Sequence, residues 1–329
     1  MTVTGVIVTA PERNLPALLA DLAAKAADYQ RASKSPATLR AYRADWRDFS
    51  AWCVRHGLPS LPASSDTVAA YVADLAQHGA KVSTIGRRLS GISVAHQTAG
   101  LDSPTHDATV RVTMQGIRKT LGTAPTRKRA LLTDDLRRML AHLDGSGPGG
   151  QLGALRDRAL LLIGFASGMR RSEIASLDVA DVAETADGLT VTLRRSKTDQ
   201  EAAGRTIGVC RGRHPDTDPV DALRAWLDGA AITQGPIFRA VQNGRVSDRR
   251  ICDRYVARLI QRLAALAGLD APAFGGHSLR AGFVTQAANG GARERDIMRS
   301  TGHHSTAILR GYMRDGRLFR DNASAVLGL

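Results

Sequence analysis

Arginine, lysine, histidine and tyrosine recur in five short stretches of this chain, as side-chain types that suit chemistry on an oxyanion. GMRRSEIASL places Arg170 three residues before Glu173 at a helix start, on one face. LRRSKTDQ places Lys197 just beyond a strand, and GGHSLRAG sets His277 and Arg280 three apart on a helix, so that both project together. TGHHST supplies His303, and AILRGYMRD brings Tyr312 nine residues after it. Guanidinium groups are permanently charged forks that hold two anionic oxygens at once. Histidine and lysine add donors and transferable protons, and a tyrosine hydroxyl becomes a nucleophile once its proton is removed. Each stretch alone has an ordinary reading: a surface ion pair, a turn lysine, a helix cap at His277, a core tyrosine. The whole set in this order is much harder to obtain by chance.

These residues need elements to hold them, and the hydrophobic pattern supplies two groups of elements. In the first, Ser35 caps a helix with Pro36 in its first turn; Leu39, Tyr42, Trp46, Phe49 and Cys53 form an apolar stripe that ends near Gly57. A second helix starts at Ser64 or Ser65, carries Val68, Val72 and Leu75, and stops at Gly79. A third, capped by Ser83, carries Ile85, Leu89 and Ile92 and stops at Gly100; a fourth carries Val110, Met114, Ile117 and Leu121 and stops at Gly122. Residues 1–30 read as a tail with one short helical stretch (Leu15 to Ala27), 31–122 as a small helical bundle, and 123–132 as a basic linker. Residues 133–329 form the second group. Asp134–Leu143 and Leu152–Ser167 read as helices; Leu189, Val191 and Leu193, then Ile207 and Val209, alternate as two strands of a small antiparallel sheet around the turn SKTDQEAAG. Helices resume near Val220 and continue nearly to the end.

Net charge is +14, and both halves share it: 14 basic and 9 acidic side chains over residues 1–122, 31 and 22 over 123–329. A polyanion that touches both halves is the simplest partner, and nucleic acid is the common one. Lys81, Arg87 and Arg88 on the third helix, Arg111, Arg118 and Lys119 on the fourth, and Arg127, Lys128 and Arg129 in the linker are the expected DNA-contacting residues. The three cysteines, Cys53, Cys210 and Cys252, form no CxxC and suit a reducing cytosol, with Cys210 and Cys252 read as buried fillers. No apolar run is long enough to span a membrane, and the first residues lack the features of a signal peptide. The adjacent His303 and His304, and a HxxR with no acidic cluster, do not make a metal site.

The arginine in a G-[LM]-R-x-x-E context, the hairpin lysine, HxxR, the second histidine after a glycine and the tyrosine nine residues later resemble the tyrosine recombinase, or phage integrase, family over roughly residues 31–329. FSAWCVRHG, STIGRRLSGISVAHQTAGL and the IRKT stretch look like the Cre-type recombinases, whereas GHHS is closer to Xer recombinases and lambda-type integrases. The resemblance implies a mainly α protein: a four-helix core-binding domain and an α+β catalytic domain with a small antiparallel sheet, forming a C-shaped clamp on DNA. It implies Tyr312 as nucleophile, Arg170, Arg280, His277 and His303 on the non-bridging oxygens, His277 as proton acceptor, Lys197 as general acid and Glu173 as an orienting carboxylate. It also implies a 3′-phosphotyrosine intermediate with no metal, ATP or other cofactor, and a homotetramer on two duplexes, joined by exchange of a C-terminal helix. A bacterial or phage-encoded cytoplasmic protein working at the nucleoid is expected. The short leader before the helical domain points to a compact site without arm sequences. A type IB topoisomerase-like nicking and closing enzyme and a non-catalytic DNA-binding protein remain the alternatives.

Overall fold

The computed structural model describes residues 34–123, 128–194 and 204–302, with Lys25, Tyr29 and Gly311 besides. Lys197, Arg127, His303, Tyr312, the C-terminal helix and most of the tail stretch lie outside the described residues. The chain divides into two compact units, Met1–Pro125 and Thr126–Leu329.

The first unit is built from α1 (Pro36–Arg55), α2 (Ser65–Gln77), α3 (Val82–Thr98) and α4 (Ala108–Leu121). Serine and aspartate start three of them. The Ser35 hydroxyl accepts from the Thr38 N–H at 3.2 Å, Ser64 from Thr67 at 3.1 Å, and the Asp107 carboxylate from Thr109 at 2.8 Å. The third helix begins one residue before the expected cap, with Lys81 rather than Ser83 at the N-cap. Phe49, Tyr71, Val72, Ile85 and Ile92 are fully buried, and Phe49 meets Tyr71 edge-on at 5.0 Å between ring centroids. Each such side chain removed from water contributes about 1.5–3 kcal/mol. His96 closes this core: its imidazole accepts from the Ala63 N–H at 3.0 Å.

The second unit wraps helices around α6 (Gly150–Ser167), whose run Leu160–Ile163 is buried on every side. Around it lie α5 (Thr133–Leu140), the short α7 (Arg171–Ser176), α8 (Pro219–Gly229), α9 (Asp253–Leu266), α10 (Ser278–Asn289) and α11 (Glu294–Thr301). The expected strands form: β1 (Val182–Thr185), β2 (Gly188–Leu193) and β3 (Arg205–Cys210) make one antiparallel sheet in that order, with Leu193 opposite Arg205. Leu189, Val191, Ile207 and Val209 all face inward. The expectation of unbroken helix after Val220 fails at one place. Strands β4 (Arg239–Gln242) and β5 (Arg245–Arg250) form a hairpin around Asn243 and Gly244, both at positive φ, as a two-residue primed turn requires.

A buried polar knot fixes α6 to α9. The Tyr255 hydroxyl donates to Asp157 at 2.8 Å, Arg156 Nε donates to the same carboxylate at 2.9 Å, and Arg262 pairs with it at 3.1 Å. Burial, with the facing carboxylate, pushes the Tyr255 hydroxyl far above its ordinary range. Two cysteine expectations are corrected. Cys210 and Cys252 are exposed, because Cys210 falls on the outward side of β3 and Cys252 occupies the N-cap of α9; only Cys53 is buried.

Candidate active site

The α6 helix ends at Gly168, in the left-handed conformation (φ +62°), where an added Cβ would lie 2.6 Å from the Phe283 ring. That turn directs the chain through Met169, fully buried, into Arg170 at the N-cap of α7. Glu173 sits at the third position of α7 and reaches back. Its Oε2 accepts from the Arg170 backbone N–H at 2.9 Å, and its Oε1 accepts from Arg170 Nη1 at 2.7 Å. The GMRRSE motif is thus a self-capped helix start in which one carboxylate fixes both the backbone and the guanidinium of Arg170.

Glu173 holds a second arginine, which sequence reading missed. Arg205, first residue of β3, donates from Nη2 to Glu173 Oε2 at 3.0 Å. The carboxylate is 3% exposed and the two guanidiniums 13% and 16%. Burial lowers the proton affinity of Arg205; Glu173 opposes this and the neighbouring Arg170 adds to it. Nothing in the sequence marked Arg205, since a lone arginine at the start of a strand is an ordinary surface residue. Only the fold returns the hairpin beside α7.

Arg280 comes to the same corner from α10. It is 5% exposed, and its Nη1 donates to the Gly168 carbonyl at 2.8 Å. The backbone turn that presents Arg170 is therefore also the acceptor that seats Arg280. His277 precedes α10 at its N-cap and is exposed, unlike Arg280 one turn on. Ser278, fully buried between them, accepts from the Gly275 N–H at 3.0 Å and so fixes the GGHSLR turn. The structure brings Arg170, Glu173 and Arg280 together in one corner.

The candidate DNA-contacting residues divide. Lys81, Arg111, Arg118 and Lys119 are exposed on α3 and α4. Arg87 pairs with the buried Asp45 at 2.5 Å, while Arg88 is held by Asp48 and donates to the Tyr71 hydroxyl at 2.7 Å. These two arginines stitch α3 to α1 and α2 as well as offering cationic edges. Lys128 and Arg129 lie along the second unit. Lys128 donates to the Pro272 carbonyl at 2.5 Å; Arg129 stacks over Phe274 at 5.3 Å and pairs with Asp135 at 3.5 Å. Among the described residues no helix is long and apolar enough to cross a membrane.

Known proteins resemble this chain in sequence and in fold. The family described as "Phage integrase family" matches residues 129–317, and "Phage integrase, N-terminal SAM-like domain" matches residues 27–99. The chain is 38% identical over 295 residues to an integrase/recombinase XerD homologue of Selenomonas ruminantium, covering 88% of this chain and 85% of that protein. It is 25% identical over 290 residues to the Cre recombinase of Escherichia phage P1, covering 82% and 81%. In fold it resembles a lambda integrase tetramer bound to a Holliday junction (TM-score 0.59, 17% identity, 92% of this chain and 79% of that one). It also resembles the Tn1549 transposon integrase in complex with transposon right end DNA (TM-score 0.60, 14% identity, 86% and 91%). The chain belongs to the phage integrase family, the tyrosine recombinases.

Proposed function

We propose that this protein cleaves and rejoins double-stranded DNA at a specific site and exchanges strands between two paired sites. The observation that carries this reading is the corner where Glu173 fixes Arg170 and the Gly168 carbonyl seats Arg280, beside the HxxR turn. Two preorganised guanidiniums there suit the extra negative charge that a phosphodiester gathers on its non-bridging oxygens in the transition state.

In this account the Tyr312 oxygen attacks the scissile phosphorus, forming a P–O bond as the P–O5′ bond breaks. His277, exposed at the start of α10, takes the phenolic proton, and Lys197 gives a proton to the leaving 5′ oxygen. His303 adds a donor to the phosphate. The 3′-phosphotyrosine keeps the energy of the broken bond, so a 5′ hydroxyl from a second duplex reverses the reaction onto a new partner without ATP. Four copies on two duplexes, linked by the C-terminal segment, supply the two partners. The exposed cations of α3 and α4 and those at 127–129 hold the phosphate backbone.

A plasmid carrying two copies of the target site tests the strand-exchange step. Recombinant circles are expected, in yields that vanish when one site is removed. Relaxation of supercoils on a plasmid with no site, and no recombinants with two, identifies a topoisomerase instead.

A further inference from the structure

Arg205 is held in a way that ordinary strand-end arginines are not. Its Nη2 is spent on Glu173, while Nε and Nη1 are both buried and neither finds a hydrogen-bond partner among the described residues. A buried guanidinium with two unanswered donors costs stability, and such a group is retained where a site needs the charge at that point. The other face of the guanidinium fills the space beside Gly302. A Cβ on that residue would fall 1.9 Å from Arg205 Nη1 and 2.9 Å from Cζ. Gly302 adopts φ +62°, ends α11 and immediately precedes His303, so both its backbone and its missing side chain are required by its neighbours.

We infer that Arg205 is a positioning residue for strand cleavage: its guanidinium sets Glu173, and through it Arg170, against Gly302, the residue that precedes His303 in sequence. The inference rests on the assignment of Arg170 and His303 proposed above. It joins the start of β3, the capped start of α7 and the end of α11 through one side chain. It also gives a physical reason for the glycine of GHHS.

The test uses the full-length protein and a nicked duplex carrying the cleavage site, with single-turnover cleavage, DNA affinity and melting temperature read in one buffer. Two substrates are compared, one natural and one with sulfur replacing the bridging 5′ oxygen. With sulfur, Tyr312 forms its P–O bond as the P–S bond breaks, and the thiolate leaves with its electron pair and no proton. Arg205→Ala is expected to cleave about 100-fold more slowly at saturating protein, with affinity changed by no more than about twofold. The loss persists on the sulfur substrate, because the clamp on the phosphate is at fault and not the proton donor. Arg205→Lys recovers about tenfold of that loss by restoring a cation beside Glu173. If Arg205→Ala melts below the assay temperature, Arg205→Gln, which keeps bulk against Gly302 and a donor to Glu173, carries the same comparison. Wild-type cleavage by the folded variant overturns the inference, as does full recovery on sulfur, which would assign Arg205 to the Lys197 side. Cleavage by Tyr312→Phe would instead remove the reading on which the inference rests.

Discussion

At the scale of single residues, the site depends on one carboxylate. Glu173 is buried between Arg170 and Arg205, and with its oxygens gone two guanidiniums would face each other with their charge uncompensated. Replacing one partner of a buried pair costs about 3–5 kcal/mol. Glu173→Ala is expected to lower the unfolding free energy of the second unit, read from denaturant titration, by that order and to lose cleavage as well. Arg170→Lys separates charge from geometry. It keeps the cation but loses the planar fork that meets Glu173 and that, in the proposed reaction, holds a phosphate with its other edge. Single-turnover cleavage should fall about 100- to 1000-fold while DNA affinity stays near wild type. A lysine variant as fast as the parent would show that only charge matters there.

At the scale of elements, two glycines shape the site, and the buried Gly168 offers the more direct test. Its positive φ and the adjacent Phe283 ring leave no room for Cβ, so Gly168→Ala should displace both the Arg170 backbone and the acceptor of Arg280. Cleavage loss greater than that of a surface alanine, with helix content retained by circular dichroism, is the expected result. In the helical unit, hydrogen bonds from the Thr109 backbone N–H and side chain hold the Asp107 carboxyl below its usual 3.8. A depressed carboxylate contributes stability that is present above its unfolded pKa and lost as pH falls through the folded value. The melting-temperature gap between wild type and Asp107→Ala should therefore be open at neutral pH and close as pH drops below 3.8. The helices of this unit were legible because cap residues and three-to-four spacing act locally. The β4–β5 hairpin was missed although Asn243–Gly244 is a strong turn signal, since Arg239–Gln242 and Arg245–Arg250 lack the apolar alternation that marks a strand. Arg205 was invisible for a different reason: its meaning comes from Glu173, 32 residues away in sequence. Cys210 and Cys252 were misjudged because residue type suggests burial while register and cap position decide it.

At the scale of the whole molecule, positive charge is shared by both units, and DNA affinity should fall steeply with salt. Neutralising the exposed Arg111, Arg118 and Lys119 on α4 is expected to reduce the slope of log affinity against log salt by about one for each residue that meets a phosphate. Arg87→Ala should behave differently, weakening the helical unit through the loss of Asp45's partner as well as affecting binding. Strand exchange hinges on the covalent step through Tyr312, and trapping the adduct tests that step directly. Wild-type protein and Tyr312→Phe are mixed with nicked duplexes drawn from candidate replicon DNA, in EDTA, and resolved on denaturing gels. A protein–DNA adduct is expected with the wild type and none with Tyr312→Phe, and the trapped DNA then identifies the site. An adduct of equal yield from Tyr312→Phe, or tight salt-sensitive binding with no adduct on a duplex the protein recombines, would contradict a covalent step through Tyr312.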